Sequence, residues 1–317
     1  MGLTRLIAKR IAFGLITLIV ITLLISLALE ALPGDFAEQR LGQTATPETI
    51  AAIRAQLGLN EPILVRYWQW LSKFLQGDMG VSLSNSRPVS ELLATRLGNT
   101  LFLASSAAIV AVPLALFLGI LAALYRESLL DKMISTSTLA AISLPEFFVG
   151  YILVALFAVN WQFFPAISSI SDSMTLGEKI YASLLPIATL TLVIVAHMMR
   201  MTRAAIINLM QSPFIEMATL KGLKRSRIIV HHALPNALSP IINVIVLNLA
   251  YLVVGVVVVE VVFIYPGLGL LMIDSVTSRD LPIVQACILI FGATYISLNM
   301  LADILSIISN PRLRHPR

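Results

Sequence analysis

The chain has 317 residues, 58% of them hydrophobic and only 12% charged, with a mean hydropathy of +0.90; an ordinary soluble domain carries about 25% charged residues. This excludes a disordered tail protein, a secreted disulfide scaffold and a typical cytosolic enzyme, and the single cysteine, Cys287, is too few for a disulfide or a zinc or iron–sulfur cluster. The net charge of +5 has to be read from where the basic residues fall.

Crossing about 30 Å of hydrocarbon takes about 20 mainly apolar residues. Six stretches qualify, at residues 11–31, 99–124, 133–160, 184–201, 238–264 and 282–308. Lipid offers no partners to a bare backbone, so each is expected to be a helix. The first follows Arg5, Lys9 and Arg10, as a signal peptide would. Its apolar run exceeds the roughly 7–15 residues of such a leader, so it reads as a retained span. Residues 32–98 carry their own helical signals. Thr46-Pro47 is an N-cap followed by proline at the first helical position, ahead of Ile50, Ile53 and Leu57 on one face and a stop at Gly58. An aromatic, amphipathic stretch from Pro62 through Tyr67, Trp68, Trp70, Leu71 and Phe74 to Gly77 suggests a helix at the bilayer interface. This insertion is either a cap packed on the helix ends or a docking surface for a partner that delivers cargo.

In the third span Pro145 removes a backbone donor just before Glu146. Residues 200–235 then form a long loop with two short helices expected. Ser212 is an N-cap, Pro213 fits the first turn, and Glu216 sits where the helix dipole favours an anion. Gly222 supplies the stop. The cluster Lys224, Arg225, Arg227 opens the second helix, which Leu234-Pro235 is expected to close. A free helix of about nine residues is marginal in water. The apolar residues Phe214, Met217, Ala218 and Leu220 therefore suit a helix seated in a partner's groove, with Ala218 allowing close approach.

With the N-terminus on the cytoplasmic side, that side holds Arg5, Lys9, Arg10, Arg126, Lys132, Arg200, Arg203, Lys221, Lys224, Arg225, Arg227, Arg312, Arg314 and Arg317, against the acids Glu127, Asp131 and Glu216. Basic residues gather on the cytoplasmic side of membrane proteins, so both termini are inside and no nucleic acid is needed to explain the charge. The sequence contains no Gly-Lys pair, hence no Walker A loop, and neither a His-Glu-x-x-His nor a Gly-x-Ser-x-Gly. The adjacent His231 and His232 make a poor metal pair on a helix. Such a protein is a channel, a gradient-driven transporter or a subunit powered by another chain.

Glu216-Met217-Ala218-Thr219-Leu220-Lys221-Gly222, then nine residues, then His232-Ala233-Leu234-Pro235, resembles the EAA loop of ATP-binding-cassette importer permeases. Met217 and His232 depart from that pattern. Further stretches narrow the resemblance to the dipeptide/oligopeptide/nickel permeases: Ala31-Leu32-Pro33-Gly34-Asp35, Leu57-Gly58-Leu59-Asn60-Glu61-Pro62, Gly77-Asp78-Met79-Gly80-Val81-Ser82, Tyr265-Pro266-Gly267-Leu268-Gly269, Arg279-Asp280-Leu281-Pro282 and Asn310-Pro311-Arg312. The long outer loop is similar to that of the first of the two permeases in such systems. The resemblance implies an all-α type I importer permease in the bacterial inner membrane. Residues 1–98 would hold the first span and a periplasmic helical insertion, 99–308 a five-helix core with its coupling loop at 203–237, and 309–317 a basic cytoplasmic tail. It also implies a second homologous permease, two ATPase subunits that bind ATP and magnesium, and a periplasmic solute-binding protein; this chain itself would hold no cofactor or metal and catalyse nothing. Glu216, Met217, Ala218, Gly222, Leu234 and Pro235 would couple it to the ATPases.

Glu30, Glu146, His197, Glu260 and Asp303 lie in or beside apolar stretches, where an ion is costly. Glu146, Glu260 and Asp303 are candidates for the translocation path. Each has a plainer reading as a polar group bonded to a neighbouring helix, and His197 reads as structural. Gly255, Gly267 and Gly269 are explained as well by packing or turns as by cargo contact. Peptides are the expected cargo, with nickel or another small solute on the same scaffold, or a self-contained gradient-driven transporter, as alternatives.

Overall fold

The computed structural model describes residues 3–42, 46–171, 173–224 and 227–309. Among them the regular elements are helices, with one isolated bridge between Val81 and Pro88. Arg225 and the closing Asn310-Pro311-Arg312 lie outside the described residues. The chain divides into two compact units: the residues up to Leu101 with Pro266–Ala293, and Phe102–Tyr265 with the chain from Thr294 onward.

The first unit begins with α1 (Leu3–Glu30), whose Phe13, Leu15 and Leu24 are exposed, a surface that lipid accepts and water would not. A short helix not anticipated from the pattern, α2 (Phe36–Leu41), follows; the Asp35 carboxylate caps it, accepting from the Glu38 N–H at 3.0 Å. α3 (Pro47–Gln56) starts where the spacing predicts, with Thr46 and Thr49 forming a reciprocal capping box, and gives way at Gly58, whose φ is +66°. α4 (Ile63–Leu75) carries the aromatics. Tyr67, Trp70 and Leu71 are buried, packed with Leu23 of α1. The Tyr67 hydroxyl donates to the Ile19 carbonyl at 2.9 Å and lies 2.9 Å from the Thr22 hydroxyl. The face expected at the bilayer interface is thus seated on α1, because a phenol can satisfy its O–H on a helix carbonyl while burying its ring; Trp68 stays exposed.

α5 (Val89–Leu124) starts ten residues before the span read from hydropathy. At about 1.5 Å per residue its 36 residues reach about 54 Å, well past the hydrocarbon thickness. Its first turns supply Val89 and Leu93 to a core with Leu268 of α12 (Leu268–Thr277) and Ile283, Ala286 and Cys287 of α13 (Leu281–Ser309). Cys287 is a packing residue. Two buried polar links close this unit: Ser82 donates to the Asp280 carboxylate at 2.6 Å, and the Gln285 amide to the Ser26 hydroxyl at 2.7 Å.

The second unit contains the rest of α5, then α6 (Leu129–Ile142) and α7 (Glu146–Leu153), which continues as a π-helical stretch over Val154–Asn160. α8 (Leu176–Ala182), with a capping box of Thr175 and Glu178, precedes α9 (Leu184–Met210). α10 (Pro213–Leu220), a π-helical turn at Ile228–Ala233 and α11 (Leu234–Val262) complete it. Among the described residues five helices are long and apolar enough to cross a membrane, or six if the α6–α7 pair, bent by 102°, is counted as one span. The bend falls at Ser143-Leu144-Pro145, since the residue before a proline is driven out of the helical region and Pro145 itself sits at ψ 145°. Gly119 of α5 lets that helix approach α9: a Cβ there would stand 2.9 Å from the Met199 carbonyl oxygen and 2.9 Å from the Thr202 Cβ.

Two loop expectations need correction. α9 runs on to Met210, so the inner loop is shorter than 200–235. Leu234-Pro235 does not close a helix; it opens α11, where a proline in the first turn loses no hydrogen bond.

Candidate functional site

α11 places Asn248, Tyr251, Leu252 and Gly255 at spacings of three and four residues, hence on one face. With Glu146 at the start of α7, His197 and Met201 of α9 and Tyr295 of α13, that face lines a cavity of about 430 Å³. This size suits a small organic ligand. Glu146 enters where α11 has no side chain: a Cβ on Gly255 would stand 2.8 Å from the Glu146 Oε2 and 3.1 Å from its Oε1. The Asn248 amide nitrogen donates to the Val244 carbonyl at 2.8 Å and to the Met201 sulfur at 3.9 Å. Of the predicted path residues, Glu146 lines this cavity. Glu260 and Asp303 do not. Glu260 is fully buried on α11, with its backbone carbonyl accepting from the Tyr265 N–H at 2.8 Å, and Asp303 is half-buried near the end of α13. Burial first, and then the charge of Glu260, push the Tyr265 phenol well above its ordinary range against a hydrogen bond with Ser183 that lowers it. His197, read as structural, lines the cavity. Asn248, Tyr251 and Tyr295 were not singled out from the sequence; the signal for the first two was the repeat of three and four that ends on Gly255.

At the inner loop, α10 has two faces. Ile215 and Ala218 are buried against Ile228 and Ala233, with Met210 and Leu223 packed alongside. On the other side Phe214, Met217 and Leu220 are exposed, at 45%, 56% and 76%. Ala218 therefore does not belong to the outward apolar face expected for it: its small side chain lets α10 sit close on its own loop. Ser212 occupies the N-cap position, but its hydroxyl donates back to the Leu209 carbonyl instead of capping. At the other end the Gly222 N–H donates to the Thr219 carbonyl at 2.9 Å and the Leu223 N–H to that of Ala218 at 3.3 Å. This closure needs a left-handed residue, and Gly222 sits at φ +74° with nothing within 4 Å of a Cβ position, so the backbone alone requires glycine. Glu216 is exposed.

Between the cavity and α10, α9 presents Arg203. Its guanidinium grips the Asp131 carboxylate of α6 through Nε and Nη2, both at 2.7 Å. The Glu127 N–H and the Ser135 hydroxyl also donate to that carboxylate, at 2.9 and 3.2 Å. Asp131 is only 4% exposed, and this fork fixes the start of the broken span to the helix that leads into α10.

A helical chain with several helices able to cross a membrane, and a bent apolar pair beside a mainly apolar cavity, has the form of a multi-pass membrane protein. Residues 115–315 match the family described as binding-protein-dependent transport system inner membrane component, and residues 3–104 match its N-terminal region. The glutathione transport system permease protein GsiC of Salmonella paratyphi A is 34% identical over 307 residues, covering 97% of this chain and 98% of that one. A Brucella abortus relative described as a peptide transport system permease protein is 34% identical over 313 residues, covering 99% of this chain and 100% of that one. A solved chain of the MetNI methionine ABC transporter, in inward-facing form, aligns at a TM-score of 0.53 with 16% identity, over 68% of this chain and 97% of that one, a likeness of fold. The chain belongs to this family: it is an ABC importer permease of the peptide/nickel type, a multi-pass protein of the inner membrane.

Proposed function

We propose that this chain forms one half of the pathway of an ATP-driven importer of dipeptides or short oligopeptides, with a second homologous permease as the other half. A periplasmic binding protein delivers the cargo, and two ATPase subunits that hold ATP and magnesium power it. The cargo reading rests on the relatives named above, one named for glutathione transport, itself a short peptide, and another named for peptide transport. The second permease would cover the open side of the cavity, where Tyr251 is 68% exposed.

The observation that carries the reading is the division of α10 into an anchored and an exposed face. A helix of eight residues does not persist alone in water. Ile215 and Ala218 hold it to the protein, while Phe214, Met217 and Leu220 offer an apolar stripe to an ATPase groove. Glu216 and Gly222 stand at the motif positions, and Gly222 fixes the exit. Leu234 and Pro235 start the helix that carries much of the cavity wall, so a push on α10 reaches that wall through the short π-helical turn. Closure of the ATPases on nucleotide would thus tilt packed helices as rigid bodies.

Coexpression with the candidate ATPases tests this. Met217→Glu with Leu220→Glu is expected to abolish copurification and transport while the permease still inserts and folds, since both side chains are exposed. Gly222→Val is expected to weaken both. Full association and transport in the double variant would overturn the coupling role. A gradient-driven transporter would instead move cargo without any ATPase.

A further inference from the structure

We propose that the cavity binds the free ammonium group of the cargo, with Glu146 as its counter-charge and Gly255 as the gap that admits the carboxylate. The site reads the amino end of a short peptide and leaves the carboxyl end unread. This deepens the pathway reading above and depends on it.

Elsewhere carboxylates are paired with arginines: Glu30 with Arg66, Asp35 and Glu38 with Arg54, Glu91 with Arg87, Glu127 with Arg126 and Asp131 with Arg203. Glu146 has neither an ion pair nor a hydrogen bond among the described residues, although a carboxylate at membrane depth is costly to leave bare. No lysine or arginine lines the cavity. The other polar side chains lining the cavity, His197, Asn248, Tyr251 and Tyr295, can each present a lone pair or a ring face. Asn248 directs its amide N–H groups to the Val244 carbonyl and the Met201 sulfur and keeps its carbonyl oxygen. Tyr251 and Tyr295 offer hydroxyl oxygens and ring faces, which attract cations.

An ammonium carries three donors and no acceptor. The carboxylate of Glu146, the amide oxygen of Asn248 and a tyrosine oxygen make up the set it requires. A transition metal is less well served. Glu146 and His197 are the only strong ligands lining the cavity, and no group of three or more His, Cys, Asp or Glu able to hold a metal occurs among the described residues. A peptide carboxylate would meet Glu146 as a like charge, so it has to lie elsewhere, and peptides of different lengths and side chains share the one feature this site recognises.

Gly255 carries the geometry. Gly255→Ala puts a methyl group against the carboxylate, while an alanine in mid-helix is otherwise more favourable than glycine. Weaker binding in that variant would therefore not come from a weaker helix.

The test uses the assembled importer in lipid nanodiscs without its binding protein, so that selectivity cannot come from that protein. Binding of radiolabelled Ala-Ala and of N-acetyl-Ala-Ala is measured by equilibrium dialysis, with Ni²⁺ as a competitor. The wild type is expected to prefer the free dipeptide by at least about tenfold, the scale of one charged hydrogen bond. Glu146→Gln is expected to bring the two ligands level, Glu146→Asp to keep part of the preference, and Gly255→Ala to lower dipeptide affinity several-fold. An unchanged preference in Glu146→Gln overturns the proposal, as does a wild type that binds neither ligand. Displacement of the dipeptide by Ni²⁺ in the wild type but not in Glu146→Gln overturns it in favour of a metal cargo. Failure of the ATPases to assemble would instead sink the pathway reading, so the two failures are distinguishable.

Discussion

The insertion after α1 and the α7–α11 cavity treat their acids in opposite ways. In the insertion, Arg54 answers both Asp35 and Glu38, and Arg66 answers Glu30 while also donating to the Leu59 carbonyl at 3.1 Å. In the cavity Glu146 has been given a space, by the missing side chain of Gly255, but no partner. Charges that organise the fold are paired where the chain can reach them. A charge kept bare at a cost to stability fits one set aside for a ligand, the role proposed for Glu146.

The sharpest way to break that contrast is to remove one charge of each kind. Asp131→Ala leaves Arg203 without its partner at a nearly buried site and should cost about 3 kcal/mol or more. Glu146→Gln should leave the melting temperature unchanged or raise it, because no partner is stranded. Thermal unfolding in detergent reads both, and an equal loss in the two variants would erase the distinction. Gly119→Val should come next, at about 1–3 kcal/mol in the same assay, since two methyl groups would have to displace the backbone of α9. Tyr67→Phe, which removes the hydroxyl held by Ile19 and Thr22, should cost about 1 kcal/mol and loosen α4, seen as faster amide exchange.

The smallest effect is one of pH in the insertion. Burial raises the Asp35 carboxyl, but hydrogen bonds from Arg54 and the Glu38 and Ala37 N–H groups, with the Arg54 charge, outweigh it and hold the carboxyl below its ordinary value of 3.8. A group depressed on folding stabilises the folded form above its unfolded value and loses that contribution as pH falls through the folded one. Amide protection of α2 and α3 should therefore be flat from pH 7 to 5 and decline below about pH 4. Arg54→Ala should flatten the decline, while a decline that survives in that variant would assign it to another group.

Features carried by local spacing were legible in the sequence: the five long apolar helices and the bent apolar pair, the break at Pro145, the capped start at Thr46 and the stop at Gly222. What joins distant parts of the chain was not. The Asp131–Arg203 fork pairs residues 72 apart and the Ser82–Asp280 link residues 198 apart, and no period in the sequence reports either. Ala218 was assigned to the partner's side because hydropathy does not tell which apolar face of a short helix its own loop will cover. Leu234-Pro235 was read as a stop because a proline ends one helix as readily as it begins the next. Hydropathy located the membrane segments; packing decided which of their polar groups stayed free.

On the function proposed above, this chain supplies a pathway and a handle while separate ATPases supply the motor. Uptake of a labelled dipeptide should be measured in proteoliposomes holding the two permeases, with and without the ATPase subunits, at fixed binding protein and ATP. The account predicts accumulation only when the ATPases are present, and its loss when Met217 and Leu220 are both replaced by glutamate. Accumulation at the same rate without the ATPases, driven by an ion gradient, would contradict it.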